Sequence, residues 1–118
     1  MRCLDILPML SKSSVKVEIL FWEGCPSYPK AIERLRKVLE ELGIDYELEL
    51  IRVENEEDAQ RFEFPGSSTI RINGEDIQPE MAKPPYSLSC RLYIIEERYL
   101  PAPTEDYIKR RVKEILKL

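Results

Sequence analysis

A chain of 118 residues is long enough for one domain built on a single core and too short for two. Its formal net charge of −4 comes from 18 basic and 22 acidic residues interspersed along the chain. No basic face therefore speaks for nucleic acid, and no apolar run approaches the ~18 residues of a membrane span. Three cysteines without a single histidine argue against a secreted disulfide scaffold and for a reducing, cytoplasmic setting, and they remove Cys–His nucleophilic catalysis.

Residues 1–14 read as an N-terminal extension to a domain over 15–118. Their apolar part is short, is interrupted by Asp5 and Pro8, and ends in Ser11-Lys12-Ser13-Ser14, a poor signal peptide. Cys3 in this segment is an idle thiol.

Val17 to Trp22 is an apolar strand that runs through Glu23-Gly24 to Cys25 and Pro26. Pro26 suits the first position of a helix, where a missing N–H costs nothing. Ile32, Leu35, Val38, Leu39 and Leu42 then recur at helical spacing until Gly43 stops the run. Cys25 so falls at a strand-to-helix junction, where ligands bind in open α/β sheets. The free N–H groups and dipole of a helix start favour thiolate over thiol. A cysteine is often no more than a small buried hydrophobe, but this placement speaks for a reactive or ligand-binding role.

Tyr46 to Val53 alternates as a half-buried strand. Asn55 caps a short second helix with Glu56, Glu57 and Asp58 in its first turn, ending before Pro65-Gly66. The acidic cluster is a helix start and not a metal site. Thr69 to Ile72 meets Asn73-Gly74, a strong hairpin signal, and Asp76-Ile77 begins the return strand. Gln78 to Tyr86 holds three prolines and is a loop. Leu92 to Ile95 adds a short strand, and Thr104 caps a closing helix with Glu105 and Asp106 in its first turn and a basic far end.

The order strand, helix, strand, helix, hairpin, helix resembles the thioredoxin fold, an α/β architecture with a central mixed β-sheet flanked by helices. Phe21-Trp22-Glu23-Gly24-Cys25-Pro26 resembles the aromatic-then-cysteine segment of that superfamily. Gly66-Ser67-Ser68-Thr69-Ile70 resembles the segment where a cis-proline precedes the third strand. Two positions depart from the pattern. Tyr28 stands where the second cysteine of a C-x-x-C pair would fall. Ser68 takes the cis-proline position, and because a cis bond before a non-proline residue costs about 3–4 kcal/mol, a trans bond and an altered substrate groove are expected there.

With no local resolving thiol, Cys90 is the candidate. The run Tyr86 to Tyr93 sets it beside Arg91 after the proline-rich loop, and small thioredoxin-like proteins with W-E-G-C-P and S-C-R segments form a family of poorly defined function that this chain resembles. The resemblance implies a thiol–disulfide oxidoreductase. Cys25 is its nucleophile, Cys90 its resolving cysteine and Arg91 a charge that lowers the pKa of the Cys90 thiol. Its substrate would be a protein or small-molecule thiol or disulfide, with no cofactor, bound by Trp22, Tyr28, Ser68, Thr69 and Arg91. A monothiol glutaredoxin-like variant ranks lower, since the glycine pair that binds glutathione is absent after Ile77. Two further readings stand beside it. Two thiolates are good ligands for a soft metal or metalloid ion, although a tetrahedral zinc site would need additional ligands. The altered Tyr28 and Ser68 positions also suit a binding module with inert cysteines. Glu23 reads as surface charge.

Overall fold

The computed structural model describes residues 14–118; Cys3 and the rest of Met1 to Ser13 lie outside the described residues. Along the chain run β1 (Val15–Phe21), α1 (Tyr28–Glu41), β2 (Tyr46–Arg52), α2 (Glu56–Arg61), β3 (Thr69–Ile72), β4 (Glu75–Asp76), a 3-10 turn (Pro79–Met81), β5 (Tyr93–Ile95), β6 (Arg98–Leu100) and α3 (Glu105–Leu116). The protein is a mixed α/β fold. One four-stranded sheet has the order β2-β1-β3-β4, and β5 and β6 form a separate pair. β1 is parallel to β2 and antiparallel to β3, which is antiparallel to β4.

Successive residues of a strand face opposite sides of the sheet, and β1 uses both. Val17 and Ile19 project with Ile70 and Ile72 into the main core, against Ala31, Leu35, Val38 and Leu39 of α1 and Ile108 and Val112 of α3. Leu20 points the other way and meets Val53, Ala59 of α2 and Phe64 in a smaller cluster. That second face is covered only at its Leu20 end, so Lys16 stays exposed and Glu18 half-buried.

Local chemistry explains most of the boundaries. Asn55 accepts the Asp58 N–H at 2.7 Å and Thr104 accepts the Tyr107 N–H at 3.1 Å, each capping a helix. At the end of α1, Gly43 takes a φ of +67° while its own N–H reaches Glu40 O and that of Ile44 reaches Leu39 O, the pair of bonds that closes a Schellman motif. Asn73 and Gly74, both at positive φ, make the β3–β4 turn that their dipeptide predicts.

The structure differs from the sequence-based reading at three points, two of them corrections and one an added strand. The first helix starts at Tyr28 with Ser27 as its cap residue and Pro29 inside its first turn, so Pro26 lies before the helix. The cause is a turn closed by the Cys25 N–H on Trp22 O at 3.0 Å, which holds the chain out of the helix for two further residues. Second, β5 is followed by β6 through Glu96-Glu97, both at positive φ; a pair of glutamates carries none of the turn chemistry that reveals such a hairpin. Third, the Ser67–Ser68 peptide is cis, not trans. The backbone there is set by distant partners: Ser67 exchanges two hydrogen bonds with the segment around Cys90, and Ser68 O accepts the Tyr93 hydroxyl at 2.6 Å. No described helix is long and apolar enough to cross a membrane.

Candidate functional site

Three segments meet beyond the end of β1: the turn Trp22 to Ser27, the approach to β3 at Gly66 to Thr69, and the stretch Ser89 to Arg91. Cys25 and Cys90, 65 residues apart in sequence, are joined there as a disulfide with their Cα atoms 5.5 Å apart. Cys25 is buried, 2% exposed, whereas Cys90 is exposed.

The Cys25 turn is shaped by packing at its ends. The Trp22 ring folds back over Gly24, where any Cβ would collide with it, and the Tyr28 ring stacks on Phe21 with centroids 4.5 Å apart. Both aromatics are half-buried and serve first to hold the turn. The Trp22 N–H donates to Ser67 Oγ at 3.1 Å, which ties the turn to the neighbouring segment. Ser27 makes no side-chain bond to its own helix. Its hydroxyl instead lies 3.4 Å from Cys25 Sγ, and the carbonyl oxygen of Ser67 is 3.8 Å from the same sulfur.

The Cys90 segment is held by main chain and by charge. Ser67 donates to Ser89 O and accepts from the Arg91 N–H, each at 2.8 Å, a parallel bridge centred on Cys90. Gly66 permits this approach: at its φ of +133° a Cβ would stand 2.9 Å from Arg91 Cβ and 3.1 Å from the Arg91 backbone. The Arg91 side chain then turns inward. Its two terminal nitrogens bind the two Asp76 carboxylate oxygens at 2.9 and 2.8 Å and also reach Thr69 Oγ1 and Gln78 O. Its guanidinium lies 4.4 Å from the centre of the Tyr93 ring. Burial opposes the charge on Arg91, but Tyr93 and Asp76 outweigh it and hold its pKa above the ordinary value. Burial pushes the Tyr93 phenol well above the usual tyrosine range, with Arg91 pulling the other way.

Of the substrate contacts expected from sequence, Ser68, Thr69 and Arg91 are buried at 0%, 0% and 3% exposure. Thr69 donates to Gly66 O at 2.8 Å, Ser68 Oγ is buried with no hydrogen-bond partner among the described residues, and Arg91 is committed to Asp76. They lie beneath the surface of the site. Glu23 is an exposed charge, paired with Arg52 at 2.9 Å.

Sequence reasoning missed Ser67, Asp76, Gln78 and Tyr93 as partners of this site. Nothing in their local context marks them, since their roles depend on which segments the fold brings together. Among the described residues no three histidine, cysteine, aspartate or glutamate side chains gather to hold a metal ion. A cleft of about 590 Å³ lined by residues including Gln78, Ile94, Leu100, Tyr107 and Arg110 contains neither cysteine.

No curated protein and no solved structure matches this chain. A family described as a domain of unknown function, DUF2703, matches residues 26–110, a span that takes in Ser67, Asp76, Cys90 and Arg91 and begins one residue after Cys25. With most of its length inside that match, the chain belongs to the DUF2703 family.

Proposed function

We propose that this protein is a thioredoxin-like thiol–disulfide oxidoreductase whose redox couple is Cys25 with Cys90. The observation that carries the reading is the disulfide itself, with one cysteine buried and its partner exposed, at the end of the central strand. A sheet ordered β2-β1-β3-β4, with one parallel and two antiparallel pairings and helices on both faces, supports the thioredoxin-like part. Tyr28 occupies the place of a local second cysteine, and a cysteine 65 residues away completes the redox pair.

The substrate is a protein or small-molecule thiol or disulfide. Two thiols on the substrate side are oxidised to a disulfide as the Cys25–Cys90 bond is reduced to two thiols, or the reverse. The cytoplasm is the compartment this reading implies, because disulfides there are usually transient and catalytic. A second reading, capture of a soft metal or metalloid ion, draws on the same adjacency: the reduced pair offers two thiolates side by side.

A glutathione redox titration with differential alkylation and mass spectrometry tests the proposal. A reversible Cys25–Cys90 bond with a midpoint near cellular poise is expected. A bond that stays closed across the whole range, or two thiols that stay free, refutes the oxidoreductase reading. The second reading requires the reduced protein, and not the oxidised one, to take up Cu(I).

A further inference from the structure

We infer that exchange enters at Cys90 and that Cys25 is the resolving sulfur, an assignment that rests on the redox reading of the pair. Three observations carry it.

The first is access. A thiolate attacks a disulfide along the S–S axis, from the side opposite the departing sulfur, so the accessible face of each sulfur decides where attack occurs. Cys25 is 2% exposed beneath the Trp22 turn and the Ser67 carbonyl. Attack on its sulfur would have to come through that packing. Cys90 is exposed, and a thiol from solvent meets it first.

The second is where negative charge lands. Attack at Cys90 expels Cys25 as thiolate. The Ser27 hydroxyl, 3.4 Å from Cys25 Sγ and on the cap residue of the 14-residue helix α1, donates to that thiolate, and the positive helix end favours it. No side-chain hydrogen bond to Cys90 Sγ occurs among the described residues to do the same for a leaving group there.

The third is retention. When the S–S bond opens, the Ser67 bridge and the Arg91–Asp76 pair still hold Cys90 next to Cys25. The resolving step is therefore intramolecular and short-range.

The chemistry balances in both directions. A thiolate RS⁻ bonds to Cys90 Sγ, the S–S bond breaks, and its electron pair leaves on Cys25 Sγ. A second RS⁻ attacks the R sulfur of the mixed disulfide, forming RSSR and releasing Cys90 as thiolate, and each protein thiolate then takes a proton. In reverse, the Cys90 thiolate attacks RSSR and expels RS⁻. The Cys25 thiolate then attacks Cys90 Sγ, expels the second RS⁻ and restores the protein disulfide.

Two measurements test the polarity, with glutathione as the probe. In the oxidised wild-type protein, brief exposure to reduced glutathione followed by acid quench and peptide mapping should find the glutathionyl group on Cys90. In a Cys3→Ser background, Cys25→Ser, which retains Cys90, should form a mixed disulfide with oxidised glutathione about tenfold or more faster than Cys90→Ser, which retains Cys25. The wild-type mapping keeps the test independent of whether either variant folds. Modification at Cys25, or a faster Cys25 thiol, overturns the polarity and leaves the redox couple standing. A disulfide that exchanges with neither glutathione nor excess dithiothreitol in the folded protein overturns the couple and the polarity together.

Discussion

The two cysteines are held in place by different physics. Cys25 is positioned by what lies next to it in sequence: the end of β1, a turn closed on Trp22, and the start of α1. Cys90 lies in no helix or strand and is positioned from outside by the Ser67 bridge and by Arg91 reaching into the interior for Asp76. The nearby ion pairs repeat the contrast. The side chains of Arg52 and Glu23, beside the Cys25 turn, are 54% and 53% exposed, whereas those of Arg91 and Asp76 are 2% and 10% exposed. An exposed pair is worth little because water and salt screen it. A buried one strongly penalises removal of either partner. The difference teaches that a cysteine can be held firmly outside regular secondary structure if a buried charge anchors the residue next to it.

This contrast can be broken most directly at the disulfide, which joins the two halves. Reduction should lower stability to urea by about 4 kcal/mol on loop entropy alone for a link across 65 residues, read as a shift in unfolding midpoint with and without dithiothreitol. A protein whose midpoint does not move would mean that the anchors alone define the site. Next in size is Asp76→Asn, which leaves the buried Arg91 charge without its countercharge and should cost about 3 kcal/mol. The same variant should show faster reduction of the Cys25–Cys90 bond by glutathione.

Gly66→Ala attacks the same anchor through the backbone. A side chain at a φ of +133° and 2.9 Å from Arg91 Cβ should cost about 2 kcal/mol, again measured in urea. Alkali offers a milder probe. Burial raises the pKa of Tyr93 in the fold, so its contribution is complete below the unfolded-state value of about 10 and is lost as pH rises beyond it, because the unfolded chain gives up its proton first. Urea midpoints should therefore hold through neutral pH and fall in strong alkali, with the Tyr93→Phe variant falling less. Smallest of all is Glu23→Gln beside Cys25, expected within about 0.5 kcal/mol of wild type. A large loss there would erase the distinction between the two segments.

What could be read along the chain follows the same division. The caps at Asn55 and Thr104, the Asn73-Gly74 turn, the Gly43 stop and the apolar spacing of α1 all act within a few residues, and each appears where local chemistry puts it. Pro26 misled because Pro29, three residues on, carries the same helix-start signal. The choice between the two prolines was made by the turn on Trp22. The β5–β6 hairpin was hidden by its Glu96-Glu97 turn, whose two residues take a positive φ that their side chains disfavour.

The sequence by itself determined most of the elements and their order, because helix periodicity, strand alternation and capping are short-range effects. Only the tertiary structure decided that Cys25 is the buried cysteine and Cys90 the exposed one, that Ser67 pairs with the Cys90 segment, and that Arg91 pairs with Asp76. Exposure and buried charge pairing depend on which distant segments share the same space, and that is settled by the packing of the whole chain around β1.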